Sequence, residues 1–306
     1  LASIAAGHDG DGERALRWAR SLRSALSRAS TSDAEQLDAL ELQSMALRAT
    51  LEIEPPADLV VTGKQAVGHL PMGFWRAYAG WSLGGNLFLC DDPSAGEVLR
   101  EAAFDADVAG ATVLTINCLA TAAIVTEFGG ERRAASSELG RRITDLVATG
   151  DLEGRPPTAL IVAYASLVQA RSRQRAHAVR SRDLARRHLG HFADVGPWLN
   201  IIGRLALVRT CLLLDDIPAA EDLLSELHSW METQPDGTPV AEHLDALRGR
   251  LDAASGSLTH QSAQFTASEI RVLQFLPTNL SLAEIAGRLF VSRNTVKSHT
   301  MAIYRK

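Results

Sequence analysis

Residues 265–306 read FTASEIRVLQFLPTNLSLAEIAGRLFVSRNTVKSHTMAIYRK, and local signals in this stretch predict three short helices. The start signals are two capping boxes and one serine cap, formed by Thr266 with Glu269, Ser281 with Glu284, and Ser292. Pro277 is expected to end the first helix, because proline lacks the N–H that a helix interior needs. Only residues 290–292 separate the second helix from the third. Two short helices joined by so tight a turn predict a helix-turn-helix.

The third helix has two chemically different faces when its residues are placed at about 100° intervals. Val296 and Ile303 fall on the side predicted to be buried, together with Ile270, Leu273, Ile285 and Leu289 of the first two helices. The opposite side presents cations, an amide, a hydroxyl and a thioether, supplied by Arg293, Asn294, Lys297, Ser298, Met301 and Arg305. Such a face fits the major groove of DNA, where Lys and Arg read guanine and Asn reads adenine.

Charge is distributed unevenly along the chain. Its net charge is −5, whereas residues 265–306 carry +4, so that residues 1–264 carry −9. A basic end on an acidic body favours phosphate binding at that end alone.

The C-terminal stretch resembles the LuxR/GerE family of bacterial helix-turn-helix domains. The residues that carry the resemblance are Thr266, Glu269, Ile270, Val272, Leu273, Leu280, Ser281, Glu284, Ile285, Ala286, Leu289, Phe290, Val291, Ser292, Thr295, Val296, Lys297, His299 and 303–306. Ser268, Pro277 and Asn279 depart from the family pattern, and none of them lies on the predicted reading face.

The resemblance implies a role in transcription and double-stranded DNA as the partner. It places Lys297, Ser298 and Met301 at base-reading positions and Thr295 at a position that contacts the DNA backbone. The family continues into a fourth helix that often serves dimerisation, whereas this chain ends at Lys306 and begins with Leu. We therefore expect a truncated domain within a fragment of a longer regulator. A homodimer is one possible state of the full-length protein.

The composition of the whole chain favours helices. Hydrophobic residues make up 46% and aromatic residues only 5%, which leaves little material for sheets. No signal peptide or spanning segment is recognisable, so we predict a cytoplasmic protein without a membrane partner. The three cysteines, at positions 90, 118 and 211, are too far apart for a metal site and are expected to be buried thiols.

From residue 74 the chain repeats itself loosely. Four apolar stretches, at 74–90, 111–128, 157–170 and 197–214, are each followed by a turn and a more polar helix, with the turns 38, 44 and 42 residues apart. Helical hairpins that recur at such a period are typical of a TPR-like or HEAT-like solenoid. An irregular helical bundle is the structural alternative.

The repeat region, roughly 70–250, is similar in pattern and position to the helical-repeat domain of MalT-like regulators, the large ATP-binding members of the LuxR family. In that family an ATPase domain lies upstream, and nothing in this chain supplies one. We accordingly predict an all-α chain with a TPR-like helical-repeat domain at 1–252, a linker at 253–264 and a LuxR-type helix-turn-helix domain at 265–306.

Two features of the repeat region are candidates for function. A dense basic run consists of Arg171, Arg173, Arg175, Arg180, Arg182, Arg186 and Arg187. A solvated helix face is its simpler interpretation, and a partner or an acidic effector is the alternative. The aromatic residues Trp75, Tyr78, Trp81 and Phe88 share one predicted helix. Core packing is the simpler interpretation for them, and a concave ligand groove is the alternative.

No catalytic site or cofactor is predicted. The segment from Asp58 to Lys64 ends in Gly-Lys but lacks the first Gly and the Ser or Thr of a phosphate loop, so we expect an ordinary helix or connector. The sequence predicts a non-enzymatic transcription regulator in which the repeats sense a small-molecule or protein effector or mediate oligomerisation. The alternative is a protein- or ligand-binding repeat scaffold with an inactive truncated head.

Overall fold

The computed structural model describes residues 11–28, 34–128, 137–150, 152, 154–193, 195–232, 244–249, 251, 267–276, 280–289 and 291–305. The described residues contain helices and turns but no strand, which confirms the all-α fold class. The chain divides into two compact units, Leu1–Arg248 and Gly249–Lys306. The predicted linker at 253–264 lies outside the described residues, so the predicted domain limits stay a prediction.

Eleven long helices of the N-terminal unit are described. They are α1 (Gly12–Leu26), α2 (Ala34–Leu51), α3 (Pro56–His69), α4 (Phe74–Leu89), α5 (Ala95–Val108), α6 (Thr112–Phe128), α7 (Ser137–Thr149), α8 (Ala159–Arg171), α9 (Arg175–Gly190), α10 (Pro197–Leu213) and α11 (Ile217–Glu232). A short 3-10 helix, Pro156–Thr158, leads into α8, and residues 244–249 are also helical. The four predicted apolar stretches become α4, α6, α8 and α10.

The hairpin turns repeat one backbone geometry. Asp91, Arg173 and Asp215 all have positive φ, between 54° and 58°, although glycine usually occupies this position after a helix. In each turn the next residue donates its N–H to the carbonyl five positions back, as Asp92 does to Leu87 at 2.9 Å. The same cap therefore ends the first helix of three of the four predicted hairpins. The predicted turn at 129–130 lies outside the described residues.

The first helix of each hairpin lies inside the unit. α4, α8 and α10 are buried over most of their circumference, whereas α5 and α9 expose one face. This agrees with the greater polarity of the second helices. Two large apolar residues of the first helices are exposed, Trp18 at 48% and Leu40 at 39%. In α1 the buried stripe consists of the small residues Ala15 and Ala19 with Leu16, which leaves Trp18 on the outer side.

The repeats curve until the last hairpin meets the first. α10 packs against α8 and also against α4, so that α4, α6, α8 and α10 surround a common core. The indole rings of Trp81 on α4 and Trp198 on α10 meet edge to face, with centroids 5.0 Å apart. A Cβ on Gly85 would overlap the Trp198 ring, so only glycine permits this approach. The solenoid is therefore tightly closed rather than open.

Polar contacts link side chains that lie one repeat apart. Trp81 donates to Thr121 Oγ1 at 2.9 Å, and Asn117 Nδ2 donates to Pro157 O at 3.1 Å, each across 40 residues. Ser166 and Thr210 hydroxyls lie 3.0 Å apart across 44 residues. Because buried polar groups must be paired, these bonds fix the register between successive hairpins.

Arginines of the basic run also join neighbouring hairpins. Arg171 pairs with Glu127 on α6, Arg182 pairs with Asp216, and Arg186 pairs with Glu226 on α11. Residues 171, 173, 175, 180, 186 and 187 are exposed, as a solvated face requires. The run therefore both faces solvent and joins hairpins through carboxylates of neighbouring helices.

The stretch that ends in Gly-Lys is helical. Residues 58–64 lie within α3, where Gly63 is buried and faces Leu83 of α4. A helix cannot wrap its backbone amides around a phosphate, so the structure agrees with the rejection of a phosphate loop. Among the described helices, none has both the length and the apolar composition to cross a membrane.

We predict that Gly85→Ala lowers the free energy of unfolding of the N-terminal unit by about 1–3 kcal/mol or more, since the added methyl group displaces Trp198. Gly68→Ala is the matched control, because Gly68 is also helical and has open space around its Cα. The control should change stability by no more than about 1 kcal/mol, in the stabilising direction. Urea denaturation followed by tryptophan fluorescence measures both, and equal stabilities would contradict the closed packing.

Candidate nucleic-acid interface

The C-terminal unit contains three described helices, α12 (Ala267–Leu273), α13 (Leu282–Leu289) and α14 (Arg293–Arg305). They pack around one small core, made of Val272, Ile285, Ala286, Val296 and Ile303. Partly buried side chains surround this core, namely Phe275, Leu276, Leu280, Leu282 and Leu289. So few apolar residues leave little reserve, and each buried side chain contributes a large share of the stability.

The caps of α13 and α14 form as the sequence predicts. Ser281 N–H donates to Glu284 Oε2 at 2.8 Å, and Glu284 N–H donates to Ser281 Oγ at 3.3 Å, which makes a reciprocal capping box. Thr295 N–H donates to Ser292 Oγ at 3.1 Å at the start of α14. The capping box predicted at Thr266 lies outside the described residues. These caps fix where α13 and α14 begin and hence the length of the turn between them.

The tight turn between α13 and α14 is held by backbone bonds. Val291 N–H donates to Ala286 O at 3.1 Å, and Val296 N–H donates to Ser292 O at 3.2 Å. Ala286, which accepts the first of these bonds, is buried in the core of the unit. The turn therefore sets the orientation of α14 relative to α13.

One face of α14 is exposed and polar. Arg293, Asn294, Lys297 and Ser298 are exposed, and Met301 is 50% exposed. Val296 is fully buried on the opposite side, with Ile303 at 8% exposure. The helix thus holds its cations, amide and hydroxyl outward because its apolar residues are anchored in the core.

Two members of the predicted set differ from the rest. Thr295 is half-buried, and its hydroxyl lies 2.7 Å from Ser292 Oγ, so it belongs partly to the cap. Arg305 lies in the last turn of α14, and its side chain is outside the described residues. Contact of any of these seven residues with DNA stays a prediction.

Helix α12 buries a different residue from the predicted Leu273. Leu273 is 38% exposed, whereas Val272 is 1% exposed and occupies the core. Adjacent residues on a helix point about 100° apart, so a short helix that buries Val272 must turn Leu273 toward solvent. Phe275 and Leu276, in the turn after α12, fill the space instead. Pro277, Asn279 and the side chain of Ile270 lie outside the described residues.

Further cations lie on the other helices of this unit. Arg271 on α12 and Arg288 on α13 are both exposed. Periodicity alone did not single them out, because neither lies on the third helix; the net charge of the segment was the signal for them. Exposed cations on all three helices favour attraction of a polyanion at this unit.

A three-helix unit of this kind, with a tight turn before an exposed cationic helix, is a helix-turn-helix domain. Residues 263–306 match the family model GerE, described as bacterial regulatory proteins, luxR family. The match supports a DNA-binding transcription regulator of the LuxR type and concerns the C-terminal unit. No curated protein and no solved structure matches the chain significantly.

We predict that Val296→Asp unfolds the C-terminal unit, because it places an unpaired carboxylate in the small core. The N-terminal unit should keep its helices, since its packing lies within its own residues. Ser298→Asp, an exposed position on the same helix, is the control and should leave the fold intact. Circular dichroism and one-dimensional NMR distinguish the cases, and loss of all helical signal would contradict independent folding.

A second prediction for this unit concerns pH. Hydrogen bonds from the backbone and hydroxyl of Ser281 lower the pKa of Glu284 below its usual value of 4.5. A lowered folded-state pKa stabilises the folded unit above the unfolded pKa, and this stabilisation is lost as pH falls through the folded value. Thermal melts between pH 6 and about pH 3 should therefore fall less steeply for Ser281→Ala than for the natural sequence. Identical slopes would rule out the capping box as the cause.

Proposed function

We propose that α14 lies in the major groove of double-stranded DNA, with Arg293, Asn294, Lys297, Ser298 and Met301 facing the base edges. The observation that carries this proposal is the exposed polar face of a helix whose opposite side is anchored in the core. Thr295 and Arg305 are proposed to contact the phosphate backbone at its edge. Arginine, lysine and asparagine are the side chains that most often distinguish bases in this groove.

The N-terminal unit is proposed to sense an effector or a protein partner, or to hold two copies of the protein together. Helical repeats supply large surfaces on which a ligand or a protein can bind. Two heads held together would bind half-sites about one helical turn apart, which is the arrangement expected for a homodimer. Sedimentation of the whole chain measures its oligomeric state and so tests whether the N-terminal unit holds two copies together.

DNA binding is tested by retardation of labelled duplexes, after selection of a preferred site from a random library at about 50 mM salt. Lys297→Ala should weaken binding to the selected site by about 1–3 kcal/mol and relax preference at one base pair. Arg288→Ala should weaken all duplexes about equally and reduce the salt dependence, since phosphate contacts carry no sequence information.

Lys64→Ala is the charge-matched control, because Lys64 is an exposed lysine of the N-terminal unit. It should leave both affinity and preference unchanged. If Lys297→Ala retains full sequence preference while Arg288→Ala abolishes it, then α13 rather than α14 enters the groove. If the folded chain retards no duplex at low salt, the DNA-binding proposal is wrong.

A further inference from the structure

The N-terminal unit contains a cavity of about 480 Å³ that is partly open to solvent. Side chains from α2, α4 and α6, and from the segment that leads into α10, form its wall. Protein interiors contain few voids larger than a water molecule, and pockets for small ligands range from about 300 to 1,000 Å³. The cavity therefore has the size of a ligand site rather than that of a packing defect.

One wall of the cavity is aromatic. Phe74 and Tyr78 stack with ring centroids 6.0 Å apart, and Tyr78 meets Trp81 at 6.3 Å. Burial raises the pKa of Tyr78 to about 12, so this phenol stays neutral at physiological pH. Leu199 on α10 closes the opposite side. These surfaces favour an apolar or aromatic guest.

The wall contains no charged side chain among the described residues. A charged guest would lose its hydration without gaining an ion-pair partner, at a cost that a neutral guest does not have. The cavity is therefore selective against ions of either sign.

Asn117 places a buried amide at the wall of the cavity. This residue is 3% exposed and lines the cavity. Its Nδ2 donates to Pro157 O at 3.1 Å, which fixes the orientation of the amide. Its Oδ1 is buried and accepts no hydrogen bond from any described residue. This oxygen has almost no accessible surface, so the amide shapes the wall of the cavity and does not offer a guest an acceptor.

We propose that this cavity binds a small, neutral, mainly apolar molecule, and that this molecule is the effector of the N-terminal unit. The second half of the inference rests on the sensing role proposed above. The rim at Thr112 and Val113, both exposed, gives such a molecule access.

The test uses the full chain and the dye N-phenyl-1-naphthylamine, which is neutral, aromatic and carries one N–H. We expect saturable 1:1 binding with increased fluorescence. The matched dye 8-anilinonaphthalene-1-sulfonate has the same rings and an added anion, and it should bind about tenfold or more weakly. Equal affinity for the two dyes, or no saturable binding to the folded chain, would overturn the inference.

Ala111→Trp places a large ring in the cavity and should weaken binding of the neutral dye by about tenfold or more. Ala57→Trp is its control, since Ala57 is exposed on α3 and does not line the cavity. This control should bind the dye as the natural sequence does. Unchanged dye binding by a folded Ala111→Trp variant would place the dye elsewhere and refute the site.

Val113→Arg covers the case in which Ala111→Trp fails to fold, because Val113 is 42% exposed and tolerates a polar side chain. The added cation should improve binding of the sulfonated dye by a few-fold relative to the neutral dye. An unchanged ratio would again place both dyes outside the cavity.

DNA retardation measured with and without saturating neutral dye separates this inference from the proposed function. Dye binding that changes the DNA affinity supports both the ligand site and the sensing role. Dye binding that leaves the DNA affinity unchanged supports the ligand site and contradicts the sensing role. DNA retardation without any dye binding contradicts the ligand site alone.

Discussion

The contact between Trp198 and Gly85 is the constraint on which the N-terminal unit depends. Helical repeats normally contact only their neighbours, so their stability is a sum over adjacent pairs. Here the indole of α10 lies against the bare backbone of α4 and meets Trp81 edge to face at 5.0 Å. This contact joins the last hairpin to the first. It turns a linear array into a closed core.

Much of this fold could be predicted from local sequence. The apolar stretches at 74–90, 111–128, 157–170 and 197–214 correspond to buried first helices, because continuous hydrophobicity requires burial on all sides. Closure could not be predicted, because it depends on which glycine faces which ring across more than a hundred residues. Gly85 looks like an unfavourable helix residue in the sequence, and only the packing of Trp198 explains it.

The candidate site shows the same division between local and long-range information. The exposed face of α14 follows from the spacing of Val296 and Ile303, and the Ser281 and Ser292 caps fix its helix boundaries. The sequence does not predict that Val272 is buried and Leu273 is exposed, because the two residues are adjacent and both are apolar. Their difference arises from the position of α12 against Ile285 and Val296. The aromatic residues of α4 were similarly ambiguous, and the structure places Phe88 in the core and Tyr78 and Trp81 at the cavity.

Electrostatics assigns different chemistry to the two units. The arginines of the basic run lie in an acidic region of the chain, and three of them, Arg171, Arg182 and Arg186, are paired with Glu127, Asp216 and Glu226. A cation that already neutralises a carboxylate attracts a phosphate weakly, so the pairs of Arg171, Arg182 and Arg186 reduce the attraction of this run for nucleic acid. The C-terminal stretch carries +4, and its cations at 293 and 297 stand on an exposed face. No charged side chain lines the cavity among the described residues, so the cavity suits a neutral effector, whereas the exposed face of α14 suits a polyanionic partner.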